Sequence, residues 1–282
     1  MRLVLAAEDG LNVVSCDRLV ARLAQEKAIS APEITIDLRS AAFVDPFGAA
    51  FLVLIVRQIA SRVPRLVCVL PMAERAQRSV VRMGLVRLLG QVAEVRNLPS
   101  SRDHFGQGIT LPLSAIRTRV DVKSLLEFFI EQARQKLGYD LSDVLDATKV
   151  VSELCYNVVD HSGSEGLAVA QVAQDRRGQR FVSLAVVDPG VGIRASLARR
   201  FPEAAEWQHG EAIDRALGGL SSRPKGGGVG LRSVETVVRR YGGRLTIRSG
   251  DDRLLISAER RARIISTSEF YGTQVGISFS QK

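Results

Sequence analysis

The sequence predicts two domains in succession, an α/β domain followed by an α+β two-layer sandwich. Three observations carry this expectation. The chain has 282 residues, long for one compact domain and ample for two, each able to bury its own core. Up to about residue 95, short apolar strands alternate with helical patterns, as a βαβ arrangement requires. From Ile109 onward two helices come first and a series of strands follows, the order of an α+β layer structure.

The bulk composition is that of a folding, water-compatible chain. Apolar residues make up 46% and charged ones 24%, with a mean hydropathy of +0.07, away from the disordered and membrane classes. The longest apolar run, Ala49 to Val56, is far short of the roughly 20 residues of a membrane helix. Met1-Arg2-Leu3-Val4-Leu5 meets an acidic residue too early for a signal peptide, so no membrane contact and a cytoplasmic location are expected. Cys16, Cys68 and Cys155 show neither a CxxC pair nor zinc spacing and read as small core residues. The net charge of +9 raises nucleic-acid binding. Its spread argues against that: the one dense group is Arg260-Arg261-Ala262-Arg263, with no interleaved aromatics for base stacking.

In the first domain, residues 1–97, Glu33 to Leu38 has period two, with Ile34, Ile36 and Leu38 on one face. Phe47 to Val63 reads as a helix, Arg65 to Leu70 as a buried strand, and Ala73 to Leu89 as helical with a break at Gly84. The polar segment 98–108, rich in Pro, Ser and Gly, suits a linker. The second domain, 109–282, opens with a strand over Ile109 to Leu113 and a helix over about Val122 to Leu137. A second helix, with Ser142 or Asp143 as N-cap, runs to about His161. Strands follow near Leu167 to Ala173 and Phe181 to Val187, then a long segment ending in glycines and a helix from about Leu231 to Tyr241. Three further strands fall near Leu245 to Arg248, Leu254 to Ala258 and Thr273 to Phe279.

Three features carry chemistry. Glu153, Asn157 and His161 stand at i, i+4 and i+8 on the second helix, and at about 100° per residue they share one narrow face. Alone, such a triple is the ordinary solvated face of an amphipathic helix. Asp188-Pro189-Gly190-Val191-Gly192 puts a carboxylate at a strand end, followed by glycines that let backbone approach a ligand. It also reads as a plain turn, and Gly190-x-Gly192-x-x-Ala195 fits a dinucleotide fingerprint whose βαβ setting is missing here. Lys225-Gly226-Gly227-Gly228-Val229-Gly230-Leu231 precedes a helix, so its N–H groups and the helix dipole suit a polyphosphate. The Walker pattern is absent, and a glycine run is otherwise a flexible loop.

In this order, with a late Gly272-Thr273 before a strand, these features resemble the ATP-binding motifs of GHKL (Bergerat-fold) proteins, over roughly residues 109 to 280. Within that group the chain looks most similar to anti-sigma-factor serine kinases, since Glu and Asn share a helix and no phospho-acceptor helix precedes them. The resemblance implies an α+β Bergerat fold binding ATP and Mg²⁺. Asp188 would accept the adenine amino group's hydrogen bond, with Thr273 beside it and Gly190 and Gly192 close to the nucleotide. Asn157 would offer its oxygen to Mg²⁺, and Glu153 would orient or deprotonate the nucleophile. Gly226, Gly227, Gly228 and Gly230, with Leu231 behind them, would close over the phosphates, and Lys225 or Arg223 would neutralise charge. His161 matches a family position without a distinct role.

Residues 1 to about 95 resemble a STAS domain through the strand Ile34 to Leu38, the turn Asp45-Pro46-Phe47-Gly48 leading into a helix, and Met83-Gly84-Leu85-Val86-Arg87-Leu88-Leu89. The family usually carries Asp-Ser-Ser/Thr-Gly at that turn. Pro46 and Phe47 leave no hydroxyl there to phosphorylate, which implies a degenerate module for docking or regulation, or a stabilising appendage. Two functions compete. One is a serine/threonine kinase whose partner is a separate STAS-domain protein or a sigma factor. The other is an ATP-gated binding switch or slow ATPase without kinase activity. A histidine kinase is disfavoured, because none of His104, His161 and His209 lies on an upstream dimerisation helix. A homodimer is also among the expected assemblies.

Overall fold

The computed structural model describes residues 2–7, 9–25, 31–99, 109–175, 177–220, 229–258 and 260–282. The chain forms two compact units, Met1–Leu113 and Ser114–Lys282.

The first unit is built around four parallel strands in the order β1 (Arg2–Ala6), β2 (Glu33–Asp37), β3 (Arg65–Val69) and β4 (Glu94–Arg96). Helices α1 (Val13–Gln25), α2 (Pro46–Ala60), α3 (Glu74–Arg82) and α4 (Leu85–Leu89) connect them. Ile34, Thr35 and Ile36 are all buried, so β2 is covered on both faces and not on the single face that alternation predicts; parallel strands between helices lose that alternation. At the start of α2 the Asp45 carboxylate accepts the Gly48 N–H at 2.6 Å, with Pro46 at the first helical position, where its missing N–H costs nothing. The expected break falls at Gly84, whose φ of 68° separates α3 from α4.

The boundary at Leu113 falls within β5 (Thr110–Ile116), the first strand of a five-stranded sheet in the order β5, β6 (Gly166–Gln174), β7 (Arg180–Asp188), β9 (Arg260–Ser280) and β8 (Arg244–Ser257), whose other strands belong to the second unit. Pairing from β6 to β8 is antiparallel. Helices α5 (Arg119–Leu137), α6 (Leu141–Asn157), α7 (Gly192–Ala198), α8 (His209–Leu217) and α9 (Val229–Arg240) complete the unit. Phe129 of α5 meets Phe279 of β9 with ring centroids 5.2 Å apart. Phe279 shares a sheet face with Ile277, Val275 and Thr273 by strand alternation, so this helical layer lies on the face that carries the site.

Three local expectations need correction. The N-cap of α6 is Asp140, not Ser142 or Asp143: its Oδ1 accepts the Asp143 N–H at 3.0 Å, and Asp143 Oδ2 accepts the Asp140 N–H at 3.2 Å. That reciprocal pair satisfies two orphan donors, which one serine hydroxyl at position 142 does not. The α-helix stops at Asn157 and continues as a π turn, Val158–Ser162. The last strands, expected as three short ones, are two long ones, β8 and β9, whose ladder continues through register shifts at Ser249/Gly250, Gly250/Asp252 and Leu255/Ser257. Bulges of this kind bend a strand without ending it.

Candidate functional site

The site begins at the end of β7. Asp188, Thr273 and Ser249 are cross-strand neighbours on β7, β9 and β8, so their side chains share one face of the sheet. Asp188 is 3% exposed. One of its oxygens accepts the Gly190 N–H at 2.8 Å, and the Thr273 N–H also bonds the carboxylate. Burial pushes this carboxyl up to about 6, against the pull of those two amides. A carboxylate has about four acceptor sites, so two amides leave acceptor capacity for a ligand.

Three motif glycines are required by contact. A Cβ on Gly190 would run into the Ser162 carbonyl, and one on Gly272 into the Asp188 carbonyl. Gly192 has a φ of 77° and a Cβ there would come within 2.9 Å of Ser249 Oγ. The Val191 N–H donates to the Ser162 carbonyl at 3.2 Å, which fastens the loop after β7 to the end of the π turn.

Glu153, Asn157 and His161 line the same pocket as Asp188, Gly192 and Thr273. The even 100° spacing holds only from Glu153 to Asn157. His161 lies in the π turn, where the wider i→i+5 bonding changes the phase, yet it still reaches the pocket wall. The pocket encloses about 850 Å³, its open mouth included.

The opposite wall was not legible in the sequence. Ile193 and Leu197 of α7 and Ile213, Ala216 and Leu217 of α8 line it, in the segment read only as long and ending in glycines. A small core of Leu197, Ala204, Ala212 and Ala216 holds these helices together, with Phe201 and Trp207 packed against it. The Arg215 guanidinium stacks 4.1 Å from the Trp207 ring centroid. Helix α8 is seated on β8 by its first turn: the Gly210 N–H donates to Asp252 Oδ2 at 2.7 Å, and His209 Nδ1 lies 2.6 Å from Asp251 Oδ1. Apolar periodicity over nine residues is too short to announce such a wall.

Lys225, Gly226, Gly227 and Gly228 lie outside the described residues. Gly230 and Leu231 fall in the first turn of α9. Ser162, Ser196 and Ser249 are further polar residues at or beside the pocket that the motifs did not flag; a single serine in a strand or turn gives no sequence signal.

A purine nucleotide fits this donor set. The cavity is apolar along α7, α8 and the sheet (Val186, Ile247, Val275), which suits an aromatic base, and it holds one buried acceptor with spare capacity. The missing Cβ at Gly190 and Gly192 lets the loop after β7 pack on the Ser162 carbonyl and the Ser249 hydroxyl, with Gly192 at the pocket wall. These are features of a nucleotide-binding pocket in an α+β domain.

Comparison with known families agrees. Residues 142–279 match the family described as Histidine kinase-, DNA gyrase B-, and HSP90-like ATPase. The match supports a GHKL ATPase domain over that stretch, and with it ATP binding. No curated protein matches the chain significantly.

Proposed function

We propose that the protein is an ATP- and Mg²⁺-binding regulatory protein that phosphorylates serine or threonine on a partner, in the manner of anti-sigma-factor kinases. The observation that carries the proposal is the convergence of Glu153 and Asn157 with Asp188 and Thr273 on one pocket. Asp188 would hold the base at one end. At the other, the Asn157 side-chain oxygen is the ligand type that Mg²⁺ prefers, and the ion would supply neutralisation of the phosphate charge. Glu153 stands one helical turn before Asn157, placed to orient a hydroxyl nucleophile and take its proton as the new O–P bond forms and the bond to the β-phosphate oxygen breaks.

The partner would be a cytoplasmic protein of STAS type or a sigma factor. The first unit, with Asp45 capping α2 and Pro46-Phe47 at the turn, would act as a STAS-like platform without an acceptor hydroxyl at that turn. Among the described residues no helix is long and apolar enough to cross a membrane.

Labelled ATP with Mg²⁺ tests the proposal on the full chain and on Glu153→Ala. Wild type should bind ATP and move label to a partner hydroxyl. Glu153→Ala should bind equally and lose on the order of 10²- to 10⁴-fold in transfer. Equal transfer by both would remove Glu153 from the chemistry. Binding without phosphate release or transfer by wild type would make the protein a nucleotide-gated switch.

A further inference from the structure

Ser249 is 1% exposed and sits at the edge of the base corner. Its hydroxyl accepts the Ile193 N–H at 3.0 Å and donates to the Gly272 carbonyl at 3.2 Å. Those two partners flank the two motifs that form the corner: Ile193 follows Gly192, and Gly272 precedes Thr273. One hydroxyl therefore ties the loop after β7 to β9, and Gly192 packs so closely on it that a Cβ there would come to 2.9 Å. A serine hydroxyl provides a donor and acceptor sites together, which is the combination this junction uses. Asp188, Thr273 and Ser249 form a continuous row across three strands, so the far end of that row is anchored by Ser249.

We infer that Ser249 is the positioning residue of the base corner, and that it sets the preference for an adenine over a guanine nucleotide. The inference rests on the reading of Asp188 as the base acceptor. An ionised carboxylate only accepts hydrogen bonds. Adenine offers it an amino donor, whereas guanine offers a carbonyl oxygen at the same ring position and the two acceptors repel. That discrimination needs the carboxylate held in one orientation. Without the hydroxyl, the Ile193 N–H and the Gly272 carbonyl lose their shared partner, the loop from Gly190 to Gly192 loosens, and Asp188 can turn away from guanine.

The test measures ATP and GTP affinity by calorimetry on the full chain, for wild type, Ser249→Ala, Ser249→Cys, Asp188→Asn and the Ser249→Ala/Asp188→Asn double variant. Ser249→Ala should lower ATP affinity about tenfold, the usual scale for losing a buried hydrogen-bonding group, and change GTP affinity less, narrowing the ratio. Ser249→Cys, close in size and still a weak donor and acceptor, should recover part of the ratio and serves if the alanine variant is poorly folded. In the Asp188→Asn background Ser249→Ala should narrow the ratio no further. Equal losses for ATP and GTP, or the same narrowing with and without Asp188, would overturn the inference while leaving ATP binding intact. A wild type that binds no ATP would sink the base-corner reading itself, and this inference with it.

Discussion

Replacing Asp188 by Asn should make the nucleotide-free protein more stable while weakening its affinity for ATP. Burial lifts the Asp188 carboxyl from 3.8 to about 6. At about 1.4 kcal/mol per pKa unit, holding it ionised near neutral pH costs roughly 3 kcal/mol of folding free energy. Asparagine removes the charge and keeps a carbonyl oxygen for the Gly190 N–H, but it brings an amide that needs a partner, worth about 1 kcal/mol. The expected net gain is about 1–2 kcal/mol, read as a higher urea midpoint or a melting point raised by about 2–4 °C per kcal/mol for a unit of this size.

The pH dependence has a definite sign. The folded-state pKa is raised, so the cost is fully present above about 6 and shrinks as pH falls from about 6 toward 3.8. Between pH 7.5 and pH 5 the charge cost should fall by about half, on the order of 1.4 kcal/mol, which removes most of the advantage of Asp188→Asn. At one fixed ATP concentration, wild type should then gain more stability than the variant. An Asp188→Asn protein that is less stable than wild type at pH 7.5, or whose advantage is flat with pH, would refute the claim that a charge is stored there at a cost.

Two further outcomes follow from the same corner. Wild-type ATP affinity should hold steady above about pH 7 and fall as pH drops through about 6, because the protonated carboxyl is a poorer acceptor for the base amino group; fluorescent-nucleotide titration across pH 5–8, with Asp188→Asn flat over that range, checks it. Gly190→Ala should abolish measurable ATP binding by forcing the loop away from the Ser162 carbonyl, with a stability loss of a few kcal/mol at most; undiminished nucleotide binding by that variant would show that the close approach is dispensable.

The site was more legible than the frame around it, for physical reasons. Glu153 and Asn157 stand one helical turn apart, and Asp188 and Thr273 each stand within two residues of a glycine, local patterns that the sequence displays directly. The alternation of strands and helices in the first unit was equally visible, because each element announces its own period. What escaped depends on distant partners. Ser249 acquires its role only by lying opposite Thr273 on β9. The apolar wall of α7 and α8 is made of short helices whose burial comes from one another and from β8. The choice of Asp140 over Ser142 as N-cap turned on which carboxylate reaches Asp143 N–H, a geometric matter with three candidate caps within four residues. The π turn at Val158–Ser162 has no signature in its residues, since any of them would also suit an α-helix.

The hairpin arm of β8 and β9 has a consequence of its own. Ser249 and Gly272 touch across the ladder, and the chain between them makes an excursion from Gly250 to Tyr271 that pairs through Asp252↔Ser266 and on to Ser257↔Arg260; near its tip the Ala258 N–H donates to the Gly243 carbonyl at 3.2 Å and Arg239 of α9 donates to the Ser257 carbonyl at 2.9 Å. Both feet of the arm stand at the base corner, and its near end seats α8 through Asp251 and Asp252. A change at the arm's tip is therefore felt by α9 through Arg239, and a change near its feet by the helix that walls the pocket. The arm is a lever with a helix attached at each end.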